Sequence, residues 1–169
     1  MHSRISNPAL SVPGVLDALQ SLSKAADDAA REAGLAHSTL ELVSLRASQI
    51  NGCAVCLDMH TRSAKKAGET DERLFTLAAW RDAPYFTDAE RAALALAEAG
   101  TRLADRAEPV PDAVFDEASK HYGEEVLAAL VVCIAAINTW NRLNVITGQE
   151  TGEWTGQWAT SATTPDIDE

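Results

Sequence analysis

The sequence predicts an all-α protein of about seven helices, and three observations carry that prediction. Alanine is abundant while Gly and Pro number only 9 and 6. That mix favours helix, because Ala has the highest intrinsic helix propensity and Gly and Pro the lowest. Apolar residues recur every three or four positions along most of the chain. No segment alternates apolar and polar residues as a half-buried strand does. With 169 residues, 46% of them hydrophobic, the chain is long enough for one domain with a real core.

The elements follow in order. Pro13 to Ala33 carries Leu16, Leu19, Leu22 and Ala26 at helical spacing and stops at Gly34. A second helix starts at Ser38, with Leu40, Val43, Ala47 and Ile50 as its buried stripe and Asn51-Gly52 as its end. The third runs from about Cys53 to Gly68. Thr70 caps a short fourth helix through Trp80, and Pro84 to Phe86 is a turn. Thr87-Asp88-Ala89-Glu90 has the pattern of a capping box and opens a fifth helix to about Leu103. A loop with Pro109 and Pro111 leads to the sixth, Asp112 to His121. The last, Glu124 to Ile146, holds the apolar run Val126 to Ile137 and is expected at the centre. Residues 1–148 read as a single helical domain and 149–169 as a C-terminal tail. Trp154 and Trp158 in that tail suit packing on a neighbouring subunit, and a disordered end fits equally well.

Charge narrows the partners. A net charge of −11 and a pI near 4.7 repel phosphate, so neither nucleic acid nor an anionic membrane surface is expected. The apolar run from Val126 to Ile137 is too short to span a bilayer. The opening MHSRISNPALSVPG lacks the apolar stretch of a secretory leader, so the expected location is cytoplasmic. In a reducing cytosol a close cysteine pair is catalytic or metal-binding more often than structural.

Such a pair stands in NGCAVCLDMHTRSA, Asn51 to Ala64. Cys53 sits near a helix start, where unpaired N–H groups and the helix dipole favour thiolate over thiol. Cys56 shares its face, close enough for a disulfide after modest adjustment. His60 lies one turn further, placed to take a proton from Cys56 or to stabilise its thiolate. If helices two and three form a hairpin hinged at Gly52, Glu41 and His60 differ in height by roughly 4–5 Å, and Glu41 and Cys56 by roughly 10 Å. The arrangement points to a chain from Glu41 to His60 to Cys56, in which carboxylate orients imidazole and imidazole activates thiol. Other readings stay open. Ser38-Thr39-Leu40-Glu41 has capping-box spacing, His60 can be a surface histidine, and Cys53, Cys56 and His60 can hold zinc. Cys133, inside the apolar run, reads as core. Asn138, Trp140, Asn141, Arg142 and Asn144 can line a pocket, face a subunit or end the helix, and Tyr85 and Phe86 can wall a pocket or fill the core. His2, His37 and His121 belong to no constellation.

At these residues the chain resembles a known family. Glu41, Cys53-Ala54-Val55-Cys56 and His60 look like the signature of the alkylhydroperoxidase D-like proteins of the carboxymuconolactone decarboxylase superfamily. SRISNPALSVPGVLDALQSL, PYFTDAERAALALAEA and INTWNRLNV look like it too, so the resemblance covers roughly residues 3–148. It implies an all-α fold with the CxxC at a helix start, homo-oligomers (trimers or hexamers), and thiol-dependent reduction of peroxides without haem, flavin or metal. By that resemblance Cys56 attacks the peroxide and becomes a sulfenic acid. Cys53 closes the disulfide, and His60 with Glu41 forms the proton relay. A dithiol or a protein reductant regenerates the pair. The helix dipole favours Cys53 as the thiolate and His60 favours Cys56; relay and family together select Cys56 as the attacking cysteine. One departure stands out. Some members carry a histidine between the cysteines where this chain has Ala54-Val55, which leaves disulfide reduction as an alternative main activity. The lactone decarboxylases of the superfamily lack the cysteine pair, which argues against decarboxylation here.

Overall fold

A computed structural model describes residues 3–152. Within them the chain forms eight α-helices and no strand. They are α1 (Pro8–Ser11), α2 (Val15–Glu32), α3 (His37–Asn51), α4 (Ala54–Lys66), α5 (Asp71–Thr76), α6 (Asp88–Thr101), α7 (Asp112–His121) and α8 (Glu124–Thr147). A 3₁₀ turn, Leu77–Ala79, prolongs α5. The all-α reading holds, and the helix it lacks is α1. That single turn is too short for any periodicity to show. Its signal is local: the Asn7 side chain accepts the Ala9 N–H at 2.9 Å and Pro8 occupies the first helical position. The tryptophans of the predicted tail packing, Trp154 and Trp158, lie outside the described residues.

Helix α8 is the axis of the bundle, packed against α2, α3 and α6. Its Leu127, Leu130 and Ile134 join Val43, Ala93 and Ala97 in the main core. On the other side of α3, Leu42, Leu45, Leu77, Trp80, Phe86 and Leu94 form a second core. A third, smaller cluster encloses the cysteines with Ala47, Val55 and Ile137. One expectation is corrected. The apolar run Val126 to Ile137 falls short of a bilayer span, but the helix containing it continues to Thr147 and is long and apolar enough to cross one. Three packed helices cover its inner face. The expected stripe on α2 is corrected as well. Leu22 is exposed, while Ala26 and Ala30 carry the buried contacts. The physical reason is that much of the inner side of α2 borders a cavity rather than the core, with Gln20, Ser23 and Asp27 in its wall.

Glu98 of α6 ties three elements together. Oε1 accepts from Arg46 Nε (2.6 Å) of α3 and from Trp80 Nε1 (3.0 Å), and Oε2 accepts from Arg81 (2.8 Å) and Arg102 (3.1 Å). Burial by itself raises this carboxyl, but the donors from Arg81, Trp80 and Arg46 outweigh it and bring the pKa to about 2. A depressed carboxyl contributes stability that is present above its unfolded value and lost as pH falls through the folded one. Removing the charge leaves the Arg46 guanidinium, 11% exposed, without its anion. Glu98→Gln is therefore expected to cost about 3 kcal/mol at pH 7, read by urea unfolding. The gap from the parent chain should narrow as pH falls from 4.5 toward 2. A cost independent of pH would mean that packing, not charge, is what Glu98 supplies.

Candidate active site

The site begins where α3 stops. Gly52 adopts φ 70°, a left-handed conformation that Gly takes without strain, and the N–H groups of Gly52 and Cys53 both bond to Ser48 O. The chain re-enters helix at once. Cys53 is the N-cap of α4, and its sulfur accepts the Cys56 N–H at 3.3 Å. Both cysteines are thus held inside the first turn, 1% and 3% exposed, and both are free thiols.

The α3–α4 hairpin brings Glu41 to His60, Oε2 to Nδ1, at 2.8 Å. The other oxygen, Oε1, accepts from Ser63 Oγ at 2.8 Å. Glu41 is buried and makes no capping box: α3 starts at His37, its N-cap is Ala36, and Ser38 lies inside the helix. His60 is partly buried beside Glu41 rather than a surface side chain.

Sequence reasoning missed a second imidazole. His37 Nε2 approaches Glu41 Oε1 at 3.3 Å, and its Nδ1 stands 3.7 Å from Asp27 Oδ1 of α2. The available signal was the i, i+4 spacing of His37 and Glu41. Asp27, chiefly, and then Glu41 raise the His37 pKa above its ordinary value against the effect of burial, and His37 in turn lowers that of Asp27.

The asparagines of α8 are the other omission. Asn138, Asn141 and Asn144 are buried and face the α3–α4 junction. The Asn51 side chain donates to Asn138 Oδ1 (2.9 Å) and Asn141 Oδ1 (2.8 Å), and Asn141 donates to Ser48 Oγ (3.0 Å). Asn144 Nδ2 lies 3.4 Å from Cys56 Sγ and 3.8 Å from Cys53 Sγ, a donor to both sulfurs. A satisfied helix end therefore describes these residues incompletely. Arg142 points outward and bonds Asn138, and Trp140 Nε1 donates to Ser23 Oγ at 3.1 Å. Phe86 is core and Tyr85 is exposed; neither walls the cavity.

That cavity, about 600 Å³, lies between α2, α3, α4 and α8. Cys56, His60 and Glu41 border it, with Val55, Met59 and Ile137 as apolar wall. Cys53 borders a different space, a depression of about 140 Å³ between the first turn of α4 and the last of α8, and Asn144 belongs to both walls. The two thiols differ as acids. The hydrogen bond from the Cys56 thiol, with help from the Cys56 N–H and Asn144, brings Cys53 down to about 7 despite burial. Donating that bond, and burial, push Cys56 up. The pair's first proton thus leaves as the helix-end argument requires. Cys133, bordering the cavity from α8, is raised by burial to about 11. Among the described residues no group of three or more His, Cys, Asp or Glu is placed to hold a metal ion.

Comparison with known proteins is consistent with this constellation. The sequence profile of the carboxymuconolactone decarboxylase family matches residues 13–99, which include Glu41, both cysteines and His60. The uncharacterised protein YdfG of Bacillus subtilis (strain 168) is 40% identical over 118 residues, 70% of this chain and 79% of YdfG. A crystal structure of an Agrobacterium tumefaciens protein of unknown function, proposed to be the antioxidant defence protein AhpD, superimposes with a TM-score of 0.79 at 34% identity, covering 89% of this chain and 99% of that one. The debrominase Bmp8 shares the fold, with a TM-score of 0.72 at 21% identity over 83% of this chain and 73% of its own.

The His37 contacts make a direct prediction. His37 should titrate above its ordinary value of 6.5. A raised imidazole contributes stability that is full below 6.5 and lost as pH rises through the folded value. Asp27→Asn is expected to bring the His37 midpoint down, followed through its Cε1–H resonance. A midpoint unmoved by that change would show that Asp27 does not hold the charge.

Proposed function

This chain belongs to the carboxymuconolactone decarboxylase family, as an AhpD-like member, and we propose that it is a thiol-dependent, alkylhydroperoxidase-type oxidoreductase. One observation carries the reading: Cys56 opens onto a cavity of about 600 Å³ beside a histidine bonded to a buried carboxylate, with Cys53 hydrogen-bonded behind it.

The pair rests as a Cys53 thiolate hydrogen-bonded by the Cys56 thiol. With a hydroperoxide in the cavity, His60 takes the Cys56 proton, and Glu41 holds the resulting imidazolium through Nδ1. Cys56 sulfur attacks the terminal peroxide oxygen. The S–O bond forms, the O–O bond breaks, and the alkoxide leaves as alcohol with the proton from His60. The Cys53 thiolate then attacks the sulfenic sulfur of Cys56. The S–S bond forms, and hydroxide leaves and is protonated to water. Two electrons have passed from the pair to the peroxide, and an external dithiol or protein reductant restores them by thiol–disulfide exchange. Relay and attack assign the two thiols different tasks: the acidic Cys53 is the resolving thiolate, and Cys56 is the one the substrate can meet.

One observation favours a second reading, protein disulfide reduction with weak peroxidase activity. Cys53, brought to about 7, borders its own depression, and an N-cap cysteine of that acidity suits disulfide exchange. The physiological setting we infer is the reducing cytosol, where both thiols stay free. We also infer a homo-oligomer, trimer or hexamer. Val131, Val132, Val145 and Ile146 are exposed along the outer face of α8, and a second copy of the chain would cover them.

Counting thiols on reduced protein after one equivalent of an organic hydroperoxide separates the two activities. Loss of the Cys53–Cys56 pair within seconds, with Cys133 still titratable after denaturation, is the outcome expected of a peroxidase. Loss only with a disulfide substrate moves the function to exchange. Cys56→Ser should abolish peroxide consumption, while Cys53→Ser should stop after one oxidation, at a sulfenic acid that dimedone captures. Equal consumption by both variants would overturn the assignment. For assembly, sedimentation should place the parent chain above monomer mass and the V132D/I146D double variant at monomer mass. An unchanged mass would remove α8 from the interface.

A further inference from the structure

Asn144 presents its amide to both sulfurs, and something must decide which end of that amide points inward. The two ends differ in consequence. An N–H donor stabilises a thiolate, and a carbonyl oxygen in its place repels it. The choice can be traced through the contacts to a backbone group. The Ala9 N–H can only donate, so the Asn7 side-chain atom 2.9 Å from it is the oxygen. Asn7 Nδ2 therefore faces Asn144, at 3.0 Å, and the atom it meets must be an acceptor, Oδ1. The remaining end of Asn144, Nδ2, is then the one at 3.4 Å from Cys56 Sγ and 3.8 Å from Cys53 Sγ.

We propose that Asn7 is a positioning residue for the cysteine pair, acting through Asn144. Locked by the first turn of α1, it holds the Asn144 amide with its N–H₂ on the two sulfurs, so that the N-terminal segment is part of the reactive centre. Asn7 and Asn144 are both buried, and both border the cavity. The segment is fastened to the same end of α8 by further bonds. Arg4 N donates to Thr147 O at 2.8 Å, Arg4 Nη1 to Ile146 O at 2.9 Å, and Gln149 Nε2 to Ile5 O at 3.0 Å. The Asn144 contact lowers the pKa of both cysteines, which agrees with an inward donor. The charged and titratable groups facing the pair are few. His60 stands on α4, with Glu41 of α3 behind it; Asp17, Lys24 and Asp27 of α2 and Cys133 of α8 border the cavity. No charged residue borders the depression over Cys53. Donors at contact distance rather than a cation thus act on Cys53, the Cys56 thiol first, then the Cys56 N–H and the Asn144 amide.

This inference rests on the reading of Cys53 and Cys56 as a reactive pair but not on the peroxide. It is therefore tested by thiol alkylation, which can succeed or fail independently of peroxide turnover. The rate of iodoacetamide addition at Cys53 and Cys56 is followed against pH by peptide mass spectrometry on the full chain, with Cys133 as internal reference. Asn7→Ser is the decisive variant. Serine still caps the Ala9 N–H and adds no charge, but it is too short to donate to Asn144. The midpoint of the alkylation profile is expected to rise by about one to two pH units, the scale of a hydrogen bond to an ionised group. Below the midpoint that is a rate loss of about 10- to 100-fold. Arg4→Ala, which loosens the strap but keeps the amide chain, should leave the profile in place. Asn144→Leu should raise the midpoint at least as far, and adding Asn7→Ser to it should change nothing further, since the two act as one unit. An unmoved midpoint in Asn7→Ser, or additive shifts in the double variant, would overturn the proposal. Thermal melting of each variant guards against unfolding. If Asn7→Ser melts below assay temperature, Asn7→Thr, which also caps without adding charge and is likewise too short to donate to Asn144, takes its place in the same cycle.

Discussion

The structure depends on how a helix apolar enough for a membrane keeps three asparagines buried. A buried amide without partners costs several kcal/mol, so α8 can occupy the centre of the bundle only in the register that satisfies Asn138, Asn141 and Asn144. Asn138 and Asn141 share the Asn51 side chain, Asn141 reaches Ser48, and Asn144 reaches the sulfurs and Asn7. Every one of those partners lies at the α3–α4 junction or in the N-terminal segment. Fixing α8 therefore fixes the junction, and the junction carries both cysteines. The hydrophobic face sets where α8 goes; the amides set how far along its axis it sits.

The same constraint explains how so acidic a chain can stabilise a thiolate. With a net charge of −11, the protein's overall field opposes another anion. No lysine or arginine borders the depression over Cys53. The compensation is short-range: the Cys56 thiol, the Cys56 N–H and the Asn144 amide all aim donors at one sulfur. Dipoles in a water-poor setting act strongly at contact distance and hardly beyond it. The favoured acid is accordingly the innermost cysteine at the helix start, while its neighbour keeps its proton and faces the cavity. Two sulfurs one turn apart thereby acquire opposite shifts in acidity from their immediate surroundings alone.

Much of this was legible in the sequence, and what was not has definite causes. The helices with full apolar stripes and caps read correctly to within a few residues. Asp112–His121 agrees at both ends, and the Thr87–Glu90 capping box is present. The approach of Glu41 to His60 follows from hairpin geometry, because both lie on regular helices at known distances from Gly52. Two kinds of information stayed hidden. Which side of α2 meets packed atoms and which meets a cavity is a tertiary fact, so Leu22 looked buried and is not. Contacts between segments far apart in the chain, Asn7 with Asn144 or Asp27 with His37, leave no periodic trace. His37 had a weak local sign in its spacing from Glu41, outweighed by the equally good spacing of Ser38 as a cap.

The His37 contact adds a second imidazole to the Glu41 carboxylate. Asp27 and Glu41 contribute two carboxylates, and His37, whose pKa they raise, lies between them. Arg31 also faces Asp27, at 3.5 Å, while the second Glu41 oxygen, Oε2, faces His60 Nδ1. In the proposed reaction, the proton that His60 takes would arrive beside the Glu41 carboxylate already in place. His37 thus gives the Glu41 carboxylate a second imidazole on the side away from His60, and the arrangement that would receive a proton is in place before any proton moves.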